Sequence, residues 1–198
     1  KLAMRVLGRP LHTGGGIDSP RPASQRAAAF ILTAAMLTTL TAPAFAGTWS
    51  IENGNITVKA GETGNDVTQN NVTTKNDTNT IITNQNKDIA SSNTVTIETN
   101  DKNDKVKVTL DNVNINVGSD SGSALTSNGD VTLTLKGDNS LTGGNGGSGI
   151  SSNGSLTISG GEKDSLTAQG GSGRSGIFSS GGVTISGGTV NANGGNSG

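Results

Sequence analysis

Leu125-Thr-Ser-Asn-Gly-Asp-Val131-Thr-Leu133, Ile150-Ser-Ser-Asn-Gly-Ser-Leu156-Thr-Ile158 and Ile177-Phe-Ser-Ser-Gly-Gly-Val183-Thr-Ile185 are three copies of one pattern. In each, an aliphatic residue is followed six positions later by a second, then by Thr, then by a third aliphatic. The segment Ile89-Ala-Ser-Ser-Asn-Thr-Val95-Thr-Ile97 superposes on them as a fourth copy. Val106-Lys-Val108 stands 25 residues before Val131, Leu156 stands 25 after it, and Val183 follows after a further 27. A third element completes each unit: Asn112-Val-Asn-Ile115-Asn-Val117, Ser140-Leu141-Thr, Ser165-Leu166-Thr and Thr189-Val190-Asn. Self-similarity at such a period is the signature of a solenoid.

Within a unit the alternation has period two, as in Val131-Thr132-Leu133-Thr134-Leu135, so one face of each short strand is aliphatic and the other hydroxylic. Gly- and Asn-rich turns separate three such strands and leave no room for a helix. One unit cannot bury its own apolar face. Stacked units can, because strand lies over strand about 4.8 Å apart and the inward aliphatics form ladders. The expected fold is all-β: a right-handed parallel β-helix of about 25 residues per coil, the hand following from the preference of parallel crossovers. The inward set is Leu125, Val131, Leu133, Leu141, Ile150, Leu156, Ile158, Leu166, Ile177, Val183, Ile185 and Val190. The turns at Asn128-Gly129, Asn153-Gly154 and Gly181-Gly182 are expected to need positive φ.

Composition agrees with a thin, repetitive core. Of 198 residues 31 are Gly, aromatics make up 2% and all hydrophobics 30%, while charged residues, at 15%, are too few for a disordered chain. There is no Cys, which excludes disulfides, thiolate metal sites and a Cys nucleophile.

Residues 1–46 read as an address, a signal peptide with an N-terminal extension. All four Pro, both Met and the single His lie there. Arg21 and Arg26 precede an apolar run from Ala27 to Leu40, and Ala44-Phe45-Ala46 follows as a small-residue cleavage pattern, which places the cut after Ala46. The run is shorter than the ~20 residues a bilayer needs, so no stable membrane span is expected in the mature chain. Residues 47–104 are expected to be irregular early coils with polar loops, Trp49 covering the open end, and residues 105–198 to be regular coils. Gly194-Gly-Asn-Ser-Gly198 matches the stretch before Ile150 and Ile177, so a further buried aliphatic is expected to follow it.

From residue 47 onward, nine Lys and Arg stand against fourteen Asp and Glu, an acidic balance that turns nucleic acid away. Catalysis finds little to work with. Arg174 is the sole Arg of that segment, and of its carboxylates Asp111, Asp120, Asp130 and Asp138 no pair is singled out for glycoside hydrolysis. Asp130 and Asp138 are expected to bond their own turns. Gly143-Gly-Asn-Gly-Gly-Ser-Gly-Ile150 and Gly170-Gly-Ser-Gly-Arg-Ser-Gly-Ile177 imitate the spacing of Ca²⁺-binding β-rolls but carry Ser where the metal needs Asp. No metal, cofactor or catalytic residue is expected. The candidate ligand face is an outward ladder of hydroxyls, Thr94, Thr96, Thr109, Thr132, Thr134, Thr157 and Thr184, suited to a sugar and too irregular, with Lys107 and serines, for an ice-binding plane.

The strings Thr-Ile-Ser-Gly-Gly-Thr-Val-Asn-Ala-Asn-Gly-Gly (184–195) and Leu-Thr-Leu-Lys-Gly-Asp-Asn-Ser-Leu-Thr-Gly (133–143) resemble secreted bacterial β-helix proteins with a carbohydrate-binding domain, frequent in gut bacteria. The resemblance covers about residues 105–198 and implies a protein, secreted or at the cell surface, whose partner is a polysaccharide or glycan; with the residue inventory above, a non-enzymatic protein is expected. It carries no family binding residues over to this chain. Similar strings occur in adhesins and autotransporter passengers, so an adhesin stalk is the alternative reading; a fragment of a polysaccharide lyase or hydrolase is the third.

Overall fold

The structure, a computed structural model, describes residues 45–101 and 104–196. The leader expected over residues 1–46 therefore falls outside the described residues up to position 44. In chain order the elements are β1 (Thr48–Ser50), a 3-10 turn (Ile51–Asn53), β2 (Ile56–Ala60), β3 (Asn65–Gln69), β4 (Val72–Asp77), β5 (Ile81–Thr83) and β6 (Val95–Glu98). Three-strand coils then follow: β7 (Val106–Asp111), β8 (Asn114–Asn116) and β9 (Leu125–Ser127); β10 (Val131–Lys136), β11 (Asp138–Thr142) and β12 (Ile150–Ser152); β13 (Leu156–Ser159), β14 (Ser165–Gln169) and β15 (Ile177–Ser179). Strands β16 (Val183–Ile185) and β17 (Thr189–Asn193) close the described chain.

The chain is a β-solenoid of about four turns with about 27 residues per turn. Sheet I runs β1-β5-β7-β10-β13-β16, sheet II β17-β14-β11-β8, and sheet III β15-β12-β9-β6-β2-β3-β4. All pairings are parallel except β2 with β3 and β3 with β4. Register follows the repeat. Val106, Val131, Leu156 and Val183 form one column of sheet I, and Val108, Leu133, Ile158 and Ile185 the next. Leu125, Val131, Leu133, Leu141, Ile150, Leu156, Ile158 and Leu166 are buried in one continuous core. The other four of the expected inward set stand in the same columns without being buried: Val183 and Ile185 are 44% and 53% exposed, and Ile177 and Val190 are half-buried. They belong to the last described rung, and an inward side chain is buried only when a rung lies on both sides of it.

Three expectations are corrected. Ile89 is 64% exposed, and Val95 pairs with Leu125 in sheet III instead of joining the Val131 column. The fourth copy of the motif is therefore offset by one strand, because in the early coils β2 and β6 of sheet III carry the same aliphatic-Thr-aliphatic triplet that marks sheet I in the regular coils. Likewise Leu141 pairs with Ala168 and Ile115, while Leu166 pairs with Asn139. A single residue, Gly137, turns the corner from β10 to β11, whereas Gly160 to Asp164 turn it from β13 to β14. The two-residue register shift keeps every side chain on its own face. The polar stretch between Gly61 and Lys87 is not mainly loop. It forms β3, β4 and β5, with Asn70 and Asn71 both at positive φ in the turn between β3 and β4, as a two-residue hairpin of the primed type requires.

The glycines are used differently from expectation. At the three turns named from sequence only Gly182 has positive φ, at 93°. Gly154 is required by crowding: a Cβ there would stand 2.3 Å from the carbonyl carbon of Gly129 one coil earlier. At the next corner a Cβ on Gly144 would lie 1.7 Å from the Asp120 carbonyl oxygen, and one on Gly171 1.9 Å from that of Gly144. Successive turns lie so close there that only hydrogen fits between them.

The core also holds polar side chains, several of them bonded to an adjacent coil. Asn139, buried at the start of β11, accepts from Val113 N at 2.9 Å and donates to the Ser165 carbonyl at 3.2 Å. Ser127 donates to Ser152 Oγ at 2.8 Å, and Ser152 to the Gly154 carbonyl at 3.1 Å. Among the described residues no buried side-chain nitrogen or oxygen lacks a partner.

Leu133→Ala should cost about 2–5 kcal/mol in urea unfolding, as cavity-forming truncations of buried Leu do. Ile185→Ala, half-exposed on its rung, should cost well under half of that. Asp164 offers a pH test. Its carboxylate accepts from Gly161 N at 2.7 Å and Gly137 N at 2.8 Å, which lowers its pKa from the ordinary 3.8. A depressed acid adds stability above its unfolded pKa and loses it as pH falls through the folded value. Asp164→Asn should therefore lose stability near pH 7 and show a flatter decline below about pH 4; urea midpoints at pH 7 and pH 3 measure both.

Candidate functional site

The outward residues of sheet I form two columns. Lys107, Thr132, Thr157 and Thr184 make one, and Thr109, Thr134 and Ser159 the other, with Thr134 Oγ1 and Ser159 Oγ 3.4 Å apart. Five of the seven threonines singled out from sequence, Thr109, Thr132, Thr134, Thr157 and Thr184, thus share one face. Thr94 and Thr96 do not. Thr96 lies in sheet III, paired with Thr57 and Thr126, and Thr94 precedes β6, its N–H donating to Asn55 Oδ1 at 2.9 Å. The slip that misplaced Val95 moved both threonines to the wrong face.

The sheet I face is flat and already partly occupied by its own contacts. At its end Lys136 Nζ donates to Asp111 Oδ2 at 2.8 Å, and this bond raises the lysine pKa from its ordinary 10.5. Two more of the carboxylates weighed from sequence, Asp130 and Asp138, also bond a neighbouring coil. Asp130 Oδ1 accepts from Ser155 N at 2.8 Å, and hydrogen bonding to Ser155 holds its pKa below 3.8. Asp138 Oδ1 accepts from Ser165 Oγ at 2.8 Å. Both reach across to the next coil, where the sequence pointed to bonds within their own turns. Their chemistry is to tie rung to rung, since each satisfies a donor that stacking alone leaves over. Among the described residues no group of three or more His, Asp or Glu is placed to hold a metal ion.

Sheet III presents a different outer surface. Its outward column reads Thr57, Thr96, Thr126, Ser151 and Phe178 in register. Phe178 is the aromatic that the third motif copy carries where the others have Thr126 and Ser151, and its ring is 49% exposed. Beside it the glycine-rich corners between sheets II and III stack, and together they enclose an open cleft of about 290 Å³. The cleft is lined by the aromatic ring of Phe178, by Arg174, and by Ser123, Ser148, Ser151 and Ser175 from three successive coils. Gly146 and Gly173, at φ 70° and 68°, turn the stacked corners that form its rim. The Arg174 guanidinium has no hydrogen-bond partner or ion pair among the described residues.

This site combines an apolar ring face, one fixed cation and several hydroxyls, with no carboxylate in its lining. Sequence reasoning singled out Arg174 but did not join it to Phe178. The signal was present: Ser151 and Phe178 occupy equivalent positions in the copies, and the Arg174 corner has the same length as the Gly143–Gly149 corner before it. Compared with known protein families, with curated proteins and with solved structures, the chain finds no match.

Proposed function

We propose that the chain is a secreted, non-catalytic glycan-binding module, and that the cleft beside Phe178 is where a sugar ring rests. The observation that carries this reading is the exposed aromatic ring set among hydroxyl and guanidinium donors drawn from three coils. A sugar ring is amphipathic. Its C–H face packs against an aromatic surface while its hydroxyls at the edge exchange hydrogen bonds with polar side chains, the combination of apolar wall and few convergent polar groups that small-ligand sites use. Ser151, one rung below Phe178, and Ser123, Ser148 and Ser175 around the corner supply donors and acceptors, and Arg174 supplies donors alone. The flat sheet I ladder has no such wall. The non-catalytic part of the reading is supported by Asp111, Asp130 and Asp138, whose carboxylates already bond neighbouring rungs.

A glycan array with the purified 198-residue chain tests the reading. Binding of at least one polysaccharide should be lost in Phe178→Ala by about 2 kcal/mol or more, as for an aromatic anchor at the centre of an interface. Thr132→Val on sheet I should bind as the parent does. Both variants should melt near the parent, because the two side chains point outward. An array without any binder, or one whose binding survives Phe178→Ala, overturns the assignment.

A further inference from the structure

We propose that Asp77 is a built socket for a new N-terminus. Cleavage between Ala46 and Gly47 converts the Gly47 N–H into an α-ammonium that pairs with the buried Asp77 carboxylate. The proposal rests on the secretion-leader reading of residues 1–46 and is independent of the glycan site.

Asp77, the last residue of β4, is 0% exposed. Its Oδ1 accepts from Gly47 N at 3.0 Å and from Asn79 N at 3.1 Å, and its Oδ2 accepts from Trp49 Nε1 at 2.9 Å. All three donors are neutral. Lys105 and Lys107 line a cavity with Asp77, but neither forms an ion pair with it. A buried carboxylate without a cation is among the costliest groups a fold can carry, and a charge delivered to hydrogen-bond distance is what compensates it. The group nearest at hand for that purpose is the Gly47 nitrogen.

The surroundings of Gly47 fit this role. Its carbonyl accepts from Ile81 N at 3.0 Å, which fixes the residue against β5. A Cβ at this position would stand 2.6 Å from Trp49 Nε1 and 2.8 Å from Asp77 Oδ2, so only glycine brings its nitrogen this close. Ala46 and Phe45 immediately before it are exposed. The Phe45 carbonyl accepts from Thr78 N at 2.7 Å and Thr78 Oγ1 at 3.0 Å, but Thr78 is itself exposed, and water replaces that acceptor. The boundary between exposed and buried chain thus coincides with the bond that the Ala44-Phe45-Ala46 pattern marks for cutting.

The chemistry is a hydrolysis. A peptidase adds water across the Ala46–Gly47 bond; the acyl carbon leaves as the carboxylate of Ala46, and the nitrogen keeps its electron pair and takes up protons. One ammonium N–H donates to Asp77 Oδ1 along the existing bond, and the other two donate to water in the space that Phe45 and Ala46 vacate. Cleavage therefore replaces a neutral hydrogen bond by a charge-assisted one without moving the backbone.

The test expresses the full 198-residue chain in a secreting bacterial host and reads the N-terminus of the exported product, expected to begin Gly47-Thr48-Trp49. Processed protein is then compared in urea with an uncut form carrying Ala44→Leu and Ala46→Leu, each with and without Asp77→Asn. Processing should lower the unfolding equilibrium constant at least about tenfold when Asp77 is present, and Asp77→Asn should abolish that gain. Should Asp77→Asn not fold, acylation of the processed parent replaces it: the Gly47 amine should react at least tenfold more slowly in the folded chain than in urea. Export with a different N-terminus, or no cut, sinks the leader reading and the socket with it. A Gly47 terminus whose gain persists in Asp77→Asn, or is absent, or whose amine reacts equally fast folded and unfolded, overturns the socket alone.

Discussion

Each turn of this chain must sit directly on the last at the spacing of hydrogen-bonded strands, about 4.8 Å, and nearly everything else is a consequence. Side chains that point inward can be only as wide as the tube and must stack on their counterparts, which selects Val, Leu and Ile and leaves aromatics out of the interior. Corners feel the constraint most sharply. Where a Cβ on Gly144 would fall 1.7 Å from the carbonyl oxygen of Asp120, any side chain would pry the turns apart. The abundance of glycine is thus explained more by crowding between coils than by unusual backbone angles.

The same constraint governs the polar residues. A parallel stack satisfies backbone groups within each strand but strands donors where the chain leaves one sheet for the next. Asn139 bridges the coil before and the coil after through one buried amide. Asp130 and Asp164 reach across a rung to the N–H groups of Ser155 and Gly137; hydrogen bonding to Ser155, side chain first, lowers the pKa of Asp130, and the bonds from Gly161 in its own turn and from Gly137 lower that of Asp164. Carboxylates that would be reactive candidates in a groove serve here as fasteners.

Binding requires a departure from regularity, and the molecule has one. Sheets I and III both expose hydroxyl columns, yet only sheet III interrupts its column with an aromatic, Phe178, next to a corner carrying Arg174. Both residues depart from the repeat: Phe178 replaces an outward Ser or Thr, and Arg174 stands where the preceding corner has Gly147. A solenoid is free to vary outward residues because they carry no stacking energy. At the opposite end Gly47, Trp49 and Asp77 break the pattern in another way, with a buried acid surrounded only by neutral donors.

From sequence came the class of fold, the three strands of each regular coil and eight of the twelve inward aliphatics as buried residues, because a repeat with period-two alternation admits few other solutions. Sequence could not say which strand of a coil a given aliphatic-Thr-aliphatic triplet belonged to, and so Thr94 and Thr96 were assigned to a face they do not share. Only the pairing of β6 with β2 and β9 in sheet III decides that. Tertiary structure alone also decided that Asn70 and Asn71 turn a hairpin in a stretch that read as loop, that Phe178 and Arg174 meet at one cleft, and that Asp77 lies within 3.0 Å of the Gly47 nitrogen. The physical reason is that a repeat pattern reports only which residues share a face: a hairpin inside a polar stretch breaks the pattern, the cleft at Phe178 forms only when the corners of three coils stack, and Asp77 meets Gly47 across thirty residues of chain.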